Sequence, residues 1–147
     1  MKVARFALPL ALACAAAAQG TWAGTELSVP KEHHKGALRW MSGGVGKDQA
    51  NAMRAIASRY NVRLVMVEDR KPSAAFLAAV PVTISDDKGR VRLRIKSAGP
   101  FLFLHLPPGR YSVKAQVAGL VLSRSISVNA KGAQQIMLIW PRPPGEN

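Results

Sequence analysis

Two hydrophobic periods divide the chain. Between Gly46 and Tyr60, the residues Ala50, Met53, Ile56, Ala57 and Tyr60 recur at helical spacing and form one stripe. Asp48 near the start and Arg59 near the end complement the helix dipole, and Asn61 is placed to stop the helix as a C′ residue. From Val62 onward the period is two. Asn61 to Glu68 reads as a largely buried strand. Phe76, Ala78, Val80, Val82 and Ile84 read as the apolar face of the next, with Pro81 marking an edge or a bulge. Asp86-Asp87-Lys88-Gly89 makes a turn, and Arg90 to Lys96 returns with Val91, Leu93 and Ile95 inward. Phe101 to Leu106 is apolar on both faces. Tyr111, Val113, Ala115 and Val117 alternate with polar residues, Leu120, Leu122, Ile126 and Val128 follow, and Gln134 to Trp140 closes the pattern before Pro141, Pro143 and Pro144. Seven short strands with turn signals about every eight to twelve residues predict a mainly β fold, an antiparallel β-sandwich with one short N-terminal helix.

This alternation predicts buried Val82, Ile84, Val91, Leu93, Tyr111, Val113, Leu122 and Ile126, and exposed Arg92, Arg94, Lys114 and Ser125. Arg124 falls on the inward face. A bulge must turn it out or a carboxylate must meet it, because an unpaired buried charge costs several kcal/mol. The scattered methionines read as core.

The first residues read as an address. Lys2 and Arg5 precede an apolar run of 13 residues, Phe6 to Ala18, which is short of the roughly 20 needed to span a bilayer. Residues 1–23 are therefore expected to be a cleaved signal peptide, with cleavage before Gln19 or before Gly24, and export to the periplasm or the extracellular space follows. Cys14 lacks the bulky aliphatic residue three positions earlier that a lipidation site favours, so it reads as part of the signal. Residues 24–39 read as a polar, flexible arm, 40–72 as the helix and first strand, 73–140 as the sandwich and 141–147 as a tail.

Composition changes the picture through charge. The 147 residues carry 21 Lys and Arg against 8 Asp and Glu, a formal net charge of +13. Removal of Lys2 and Arg5 would still leave 19 basic residues against 8 acidic ones, or +11 from side chains. Anionic partners are favoured: an envelope polymer, lipid head groups or an envelope protein. Specific nucleic-acid binding is not expected, since no aromatic platform or recognition helix accompanies the charge. One Cys allows neither an intrachain disulfide nor a Cys-based zinc site.

Candidate chemistry is sparse. Ser42-Gly43-Gly44-Val45-Gly46-Lys47 precedes the helix as a phosphate loop would, but Met41 stands where the first Gly belongs and Asp48 where a Ser or Thr should hold magnesium. A tight structural turn is the expectation. His33 and His34 could ligate Cu(II) or Zn(II) with Glu32, yet adjacent side chains diverge and Lys31 and Lys35 repel a cation. His105 could serve a hydrolase, but no Gly-x-Ser-x-Gly elbow exists, and the carboxylate pairs Asp86-Asp87 and Glu68-Asp69 read as solvated. A secreted hydrolase or metal-binding protein using His33, His34 or His105 is the alternative. The favoured reading is a non-catalytic module without a cofactor.

The feature pointing to function is Arg90-Val91-Arg92-Leu93-Arg94-Ile95-Lys96. Period-two geometry puts Arg90, Arg92, Arg94 and Lys96 on one face at intervals of about 6.5–7 Å, a row suited to an extended polyanion. Cations along an edge also discourage edge-to-edge aggregation.

Pro81 to Gly89, followed by Phe103-Leu104-His105-Leu106-Pro107-Pro108-Gly109-Arg110-Tyr111 through Ala115 and the later Gly119, resembles the carboxypeptidase regulatory-like domain. The resemblance covers roughly residues 76–140 and implies the family's seven-stranded transthyretin-like, Ig-like sandwich. It implies no reaction. No His-x-x-Glu zinc motif is present, and the chain lacks the terminal Tyr-Arg-Gly-Ser of hydroxyisourate hydrolases on the related scaffold.

Overall fold

The computed structural model describes residues 29–142 and Gly145. The expected signal peptide, its cleavage sites, Cys14, the first part of the arm and most of the tail lie outside the described residues. Among the described residues ten strands form: β1 (His33–Lys35), β2 (Leu38–Gly43), β3 (Val62–Asp69), β4 (Ala75–Phe76), β5 (Pro81–Asp86), β6 (Val91–Lys96), β7 (Phe101–His105), β8 (Gly109–Val117), β9 (Leu120–Val128) and β10 (Gln134–Pro141). The helix α1 (Lys47–Ile56) runs into a 3₁₀ turn at Ala57–Arg59.

The strands make two sheets. One has the order β1-β2-β7-β3-β10, with β4 also paired to β3; the other has the order β6-β5-β8-β9. Their facing sides share one apolar core. Leu64, Met66, Leu102, Leu104 and Trp140 from the first sheet pack with Val82, Ile84, Leu93, Val113 and Ile126 from the second. The first sheet is also covered on its outer side, where Met53 and Ala50 of α1 and Tyr60 meet Met41, Val65, Val67, Phe101 and Phe103. We call it the helix-covered sheet and the other the open sheet. This double cover explains why β3 and β7 read as continuous apolar runs: alternate residues enter different cores.

Several expectations change. The fold is mainly β as the period-two pattern requires, but β10 pairs with β3 in parallel, Gln134 opposite Val62 through Pro141 opposite Asp69. Pairing direction leaves no trace in alternation, which is the same for either direction. The described residues form ten strands where seven were expected, partly because β1 and β4 are too short to show a period. Part of the arm is β1, paired with β2 from His33–Trp40 to Lys35–Leu38. Phe76 and Val82 belong to different sheets: Phe76 pairs with Val67 of β3, whereas β5 joins the open sheet between β6 and β8. Pro81 is the first residue of β5, where a missing N–H is tolerated, and the bulge lies further on, between Ile84 and Ser85.

Within the core, Val82, Ile84, Leu93, Val113 and Ile126 are buried as expected, while Tyr111 and Leu122 are half-buried. Val91 is 46% exposed because it lies at the bulge, where alternation breaks. Met41, Met53 and Met66 are core, but Met137 is 50% exposed. Arg124 needs neither a bulge nor a carboxylate. It pairs in unbroken register with Val113, yet β9 is the last strand of the open sheet and the guanidinium lies in solvent beside the Ser123 carbonyl. Glu68, read as solvated, is buried and bonded to the Arg70 Nε at 2.7 Å.

The helical stripe packs as its spacing requires, with Ala50, Met53 and Tyr60 buried. The segment ends differently from expectation. The 3₁₀ turn closes with Tyr60 in extended geometry, and Asn61 is spent elsewhere. Its amide donates to the Leu106 carbonyl at 2.8 Å and accepts the Leu106 N–H at 2.9 Å, tying the helix exit to the end of β7.

Candidate anion-binding face

The basic strand divides at its bulge. Leu93 faces Ile84 and Val91 faces Ser85, so Arg92 is the extra residue of the bulge. Arg92 turns toward the end of the sandwich and lines a depression with Lys35, Leu38, Pro107 and Tyr111. Arg90 lies before β6 altogether, and its Nε donates to Asp86 Oδ2 at 3.0 Å. Arg92 Nη1 approaches the same oxygen at 3.9 Å. Asp86 also accepts the backbone N–H groups of Lys88 at 3.0 Å and Arg90 at 2.9 Å. Desolvation of its carboxyl opposes ionisation, but these hydrogen bonds and the Arg90 charge outweigh it and hold the pKa below the usual 3.8. The expected row of four cations is thus two pairs. Arg90 is paired with Asp86 at the turn and Arg92 shares that one carboxylate at longer range, whereas Arg94 and Lys96 have no carboxylate partner among the described residues.

Register supplies what the linear pattern missed. Arg94 lies opposite Thr83, Thr83 opposite Lys114, and Lys114 opposite Ser123. Directly opposed residues share a sheet face, so the outer face of the open sheet carries a row Arg94–Thr83–Lys114–Ser123. Two strand spacings separate the cations, about 10 Å. The next row of that face is Ser85–Ser112–Ser125. Beyond it Arg110 stands opposite Ser127. A shallow depression of about 630 Å³ runs over this region, lined by Ser85, Asp86, Arg110, Ser112, Lys114 and Ser125 among others. Lys114 was visible in the sequence as a polar position of an alternating strand; only strand order places it in one row with Arg94, with Arg110 four residues further along β8 on the same face. The face combines separated cations with hydroxyl groups that can donate or accept hydrogen bonds.

The imidazoles do not converge. His33 stacks on Trp40 with ring centroids 5.4 Å apart, while His34 Nε2 lies 3.0 Å from Glu32 Oε1. His105 ends β7, half-buried and opposite Arg39. Among the described residues no group of three or more His, Cys, Asp or Glu side chains could hold a metal ion. The Gly-rich loop is occupied by its own protein: the Gly44 and Val45 N–H groups donate to Gln49 Oε1 at 2.8 and 3.1 Å. Gly44 adopts φ +94°, and a Cβ there would meet the Phe101 ring.

Glu32 has a structural task. It accepts a hydrogen bond from the Tyr60 hydroxyl and faces Arg39 at 3.6 Å as well as His34, fastening the β1–β2 hairpin to the helix exit. The Tyr60 bond, reinforced by Arg39 and His34 against partial desolvation, holds its pKa below 4.5. Burial first, then Glu32, pushes the Tyr60 hydroxyl up to about 12. A carboxyl with a lowered folded-state pKa contributes its full stabilisation above the unfolded value and loses it as pH falls through the folded one. The stability difference between wild type and Glu32→Gln is therefore expected to be widest above pH 4.5 and to close on acidification below it. Urea unfolding across that range checks this; a difference independent of pH would dismiss the ionised carboxylate as the stabilising form.

No helix among the described residues is long and apolar enough to cross a membrane. Compared with protein-family models and with curated protein sequences, the chain matches none.

Proposed function

We propose that this protein is a non-catalytic exported module that binds an anionic envelope component on the outer face of its open sheet. The observation that carries the reading is the row Arg94–Thr83–Lys114–Ser123, with Lys96 beside it and hydroxyls in the adjoining row. An extended polyanion suits it better than an isolated anion: the cations are too far apart to chelate one phosphate, and the serines can bond a polymer's hydroxyls or oxygens between them. The scaffold reading is a carboxypeptidase regulatory-like, transthyretin-like sandwich. Its support is the resemblance of Pro81–Gly89 and Phe103–Ala115, together with the Tyr111 hydroxyl, which donates to the Pro107 carbonyl at 2.6 Å as a tyrosine corner does in Greek-key sandwiches.

The test compares equal charge removal at two places. Arg94→Gln with Lys114→Gln is expected to weaken binding of inorganic polyphosphate strongly and to flatten its salt dependence between about 10 and 150 mM, over which the Debye length falls from roughly 30 to 8 Å. Arg59→Gln with Lys131→Gln removes the same charge from exposed positions elsewhere and is expected to leave most binding intact. Stability should change by less than about 0.5 kcal/mol in either case. Equal loss from both double variants would reduce the binding to a general property of a basic protein.

A further inference from the structure

On the other side of the molecule α1 covers the helix-covered sheet incompletely. Three rows of directly opposed residues lie on this face: Phe103–Arg63–Gln135, Phe101–Val65–Met137 and Phe76–Val67–Ile139. The helix buries Phe101 and Phe103, and Val65 and Val67 are buried between their neighbours. The outer positions remain open, with Phe76 62%, Met137 50% and Ile139 48% exposed. Folding alone gives these side chains no cover, and together they form a contiguous apolar surface.

Two depressions meet here and share Arg54, Phe76 and Phe101. The larger, about 440 Å³, is chiefly apolar, walled by Val45, Ala50, Leu77 and Pro100. The smaller, about 380 Å³, holds the polar groups Arg54, Arg63 and Gln135 above an aromatic floor. The Arg54 guanidinium lies 5.3 Å from the Phe101 ring centroid, and Phe76 meets that ring edge-on at 6.2 Å. The Arg63 Nε is buried and has no hydrogen-bond partner. No Asp or Glu lines either depression, whereas Lys47 joins the two arginines in lining them.

Cationic groups with no acidic neighbour beside an apolar trough are complementary to one kind of molecule. We propose that this groove binds a single-chain anionic amphiphile, with the alkyl chain along Phe76, Phe101, Leu77 and Pro100 and the carboxylate or sulfate head at Arg54 and Arg63. Neither half suffices alone: a free anion leaves Phe76 and its neighbours wet, and a neutral chain leaves the guanidinium groups without a counter-charge. A second copy of this chain is disfavoured, since it would bring like-charged arginines together. The site is independent of the open-sheet face, so either can fail without the other.

Isothermal titration calorimetry with laurate, dodecyltrimethylammonium and dodecyl maltoside, all below their micelle concentrations, tests the groove. Laurate is expected to bind one molecule per chain, the cationic probe not at all and the neutral one weakly. Arg54→Gln removes a charge-assisted contact and should weaken laurate binding by about tenfold, and Phe76→Ser should weaken laurate and maltoside alike. Both positions are exposed, so urea midpoints should remain near wild type. Arg94→Gln, on the opposite side, should leave laurate binding unchanged. Equal binding of laurate and the cationic probe, or an equal loss with Arg94→Gln, overturns the proposal. Binding to vesicles of anionic lipid without binding of monomeric laurate overturns it too, and would make this face a membrane-docking surface.

Discussion

Trp140→Ala is expected to destabilise the protein by about 3–5 kcal/mol, the range for removing a buried large aromatic side chain. Trp140 is 1% exposed and sits where β10 closes the core between the sheets. It does more than fill volume. Its indole N–H donates to the Leu120 carbonyl at 3.1 Å, and Gln134 Nε2 donates to the Ser127 carbonyl at 2.9 Å, so two β10 side chains join the edge of one sheet to the edge of the other. Trp140→Phe keeps most of the apolar surface and should cost less, through a smaller cavity and the lost bond of about 1 kcal/mol. Urea unfolding followed by far-ultraviolet circular dichroism measures both. A loss under 1 kcal/mol for the alanine variant would mean that the parallel strand is not part of the cooperative unit.

Gly99→Ala is the second large effect. A Cβ at Gly99 would lie 2.3 Å from the Gly43 carbonyl oxygen and 2.5 Å from its carbon. Both are main-chain atoms, so no change of rotamer relieves the clash. The two segments are already joined at this point, where the Ala98 N–H donates to Ser42 Oγ at 2.8 Å. The expected cost is about 3 kcal/mol, the upper end for overpacking. Gly44 and Pro100, next to the clash, line the apolar groove, so laurate affinity should fall as well. A variant as stable as wild type would show that the β2 end and the β6–β7 connection separate freely.

The two proposed sites differ in the physics they use. The open-sheet face offers charge and hydroxyls in solvent, where attraction is screened by salt. The groove offers apolar area with cations at its side, so its binding should be less sensitive to salt. Measuring both affinities at two ionic strengths separates them on one preparation.

Much of the scaffold was legible in the chain. Helical spacing from Ala50 to Tyr60 and alternation through β5, β6 and β8 follow from the geometry of single elements, which the order of apolar residues encodes directly. Three features were not legible. The bulge at Ile84–Ser85 took Arg92 out of the cationic row, and the Asp86 carboxylate claimed Arg90; both depend on a turn that packs as a unit. The parallel pairing of β10 with β3 joins residues more than seventy positions apart, and alternation is blind to direction. Strand order decided the rest. Away from the bulge and the sheet edge, sequence by itself determined which residues of β5 and β8 face outward, because period two is a property of one strand. Only the tertiary structure determined which outward residues stand together, Lys114 beside Arg94 across Thr83 and Phe76 beside Ile139 across Val67, because neighbours in a sheet are set by hydrogen-bonded register between distant segments.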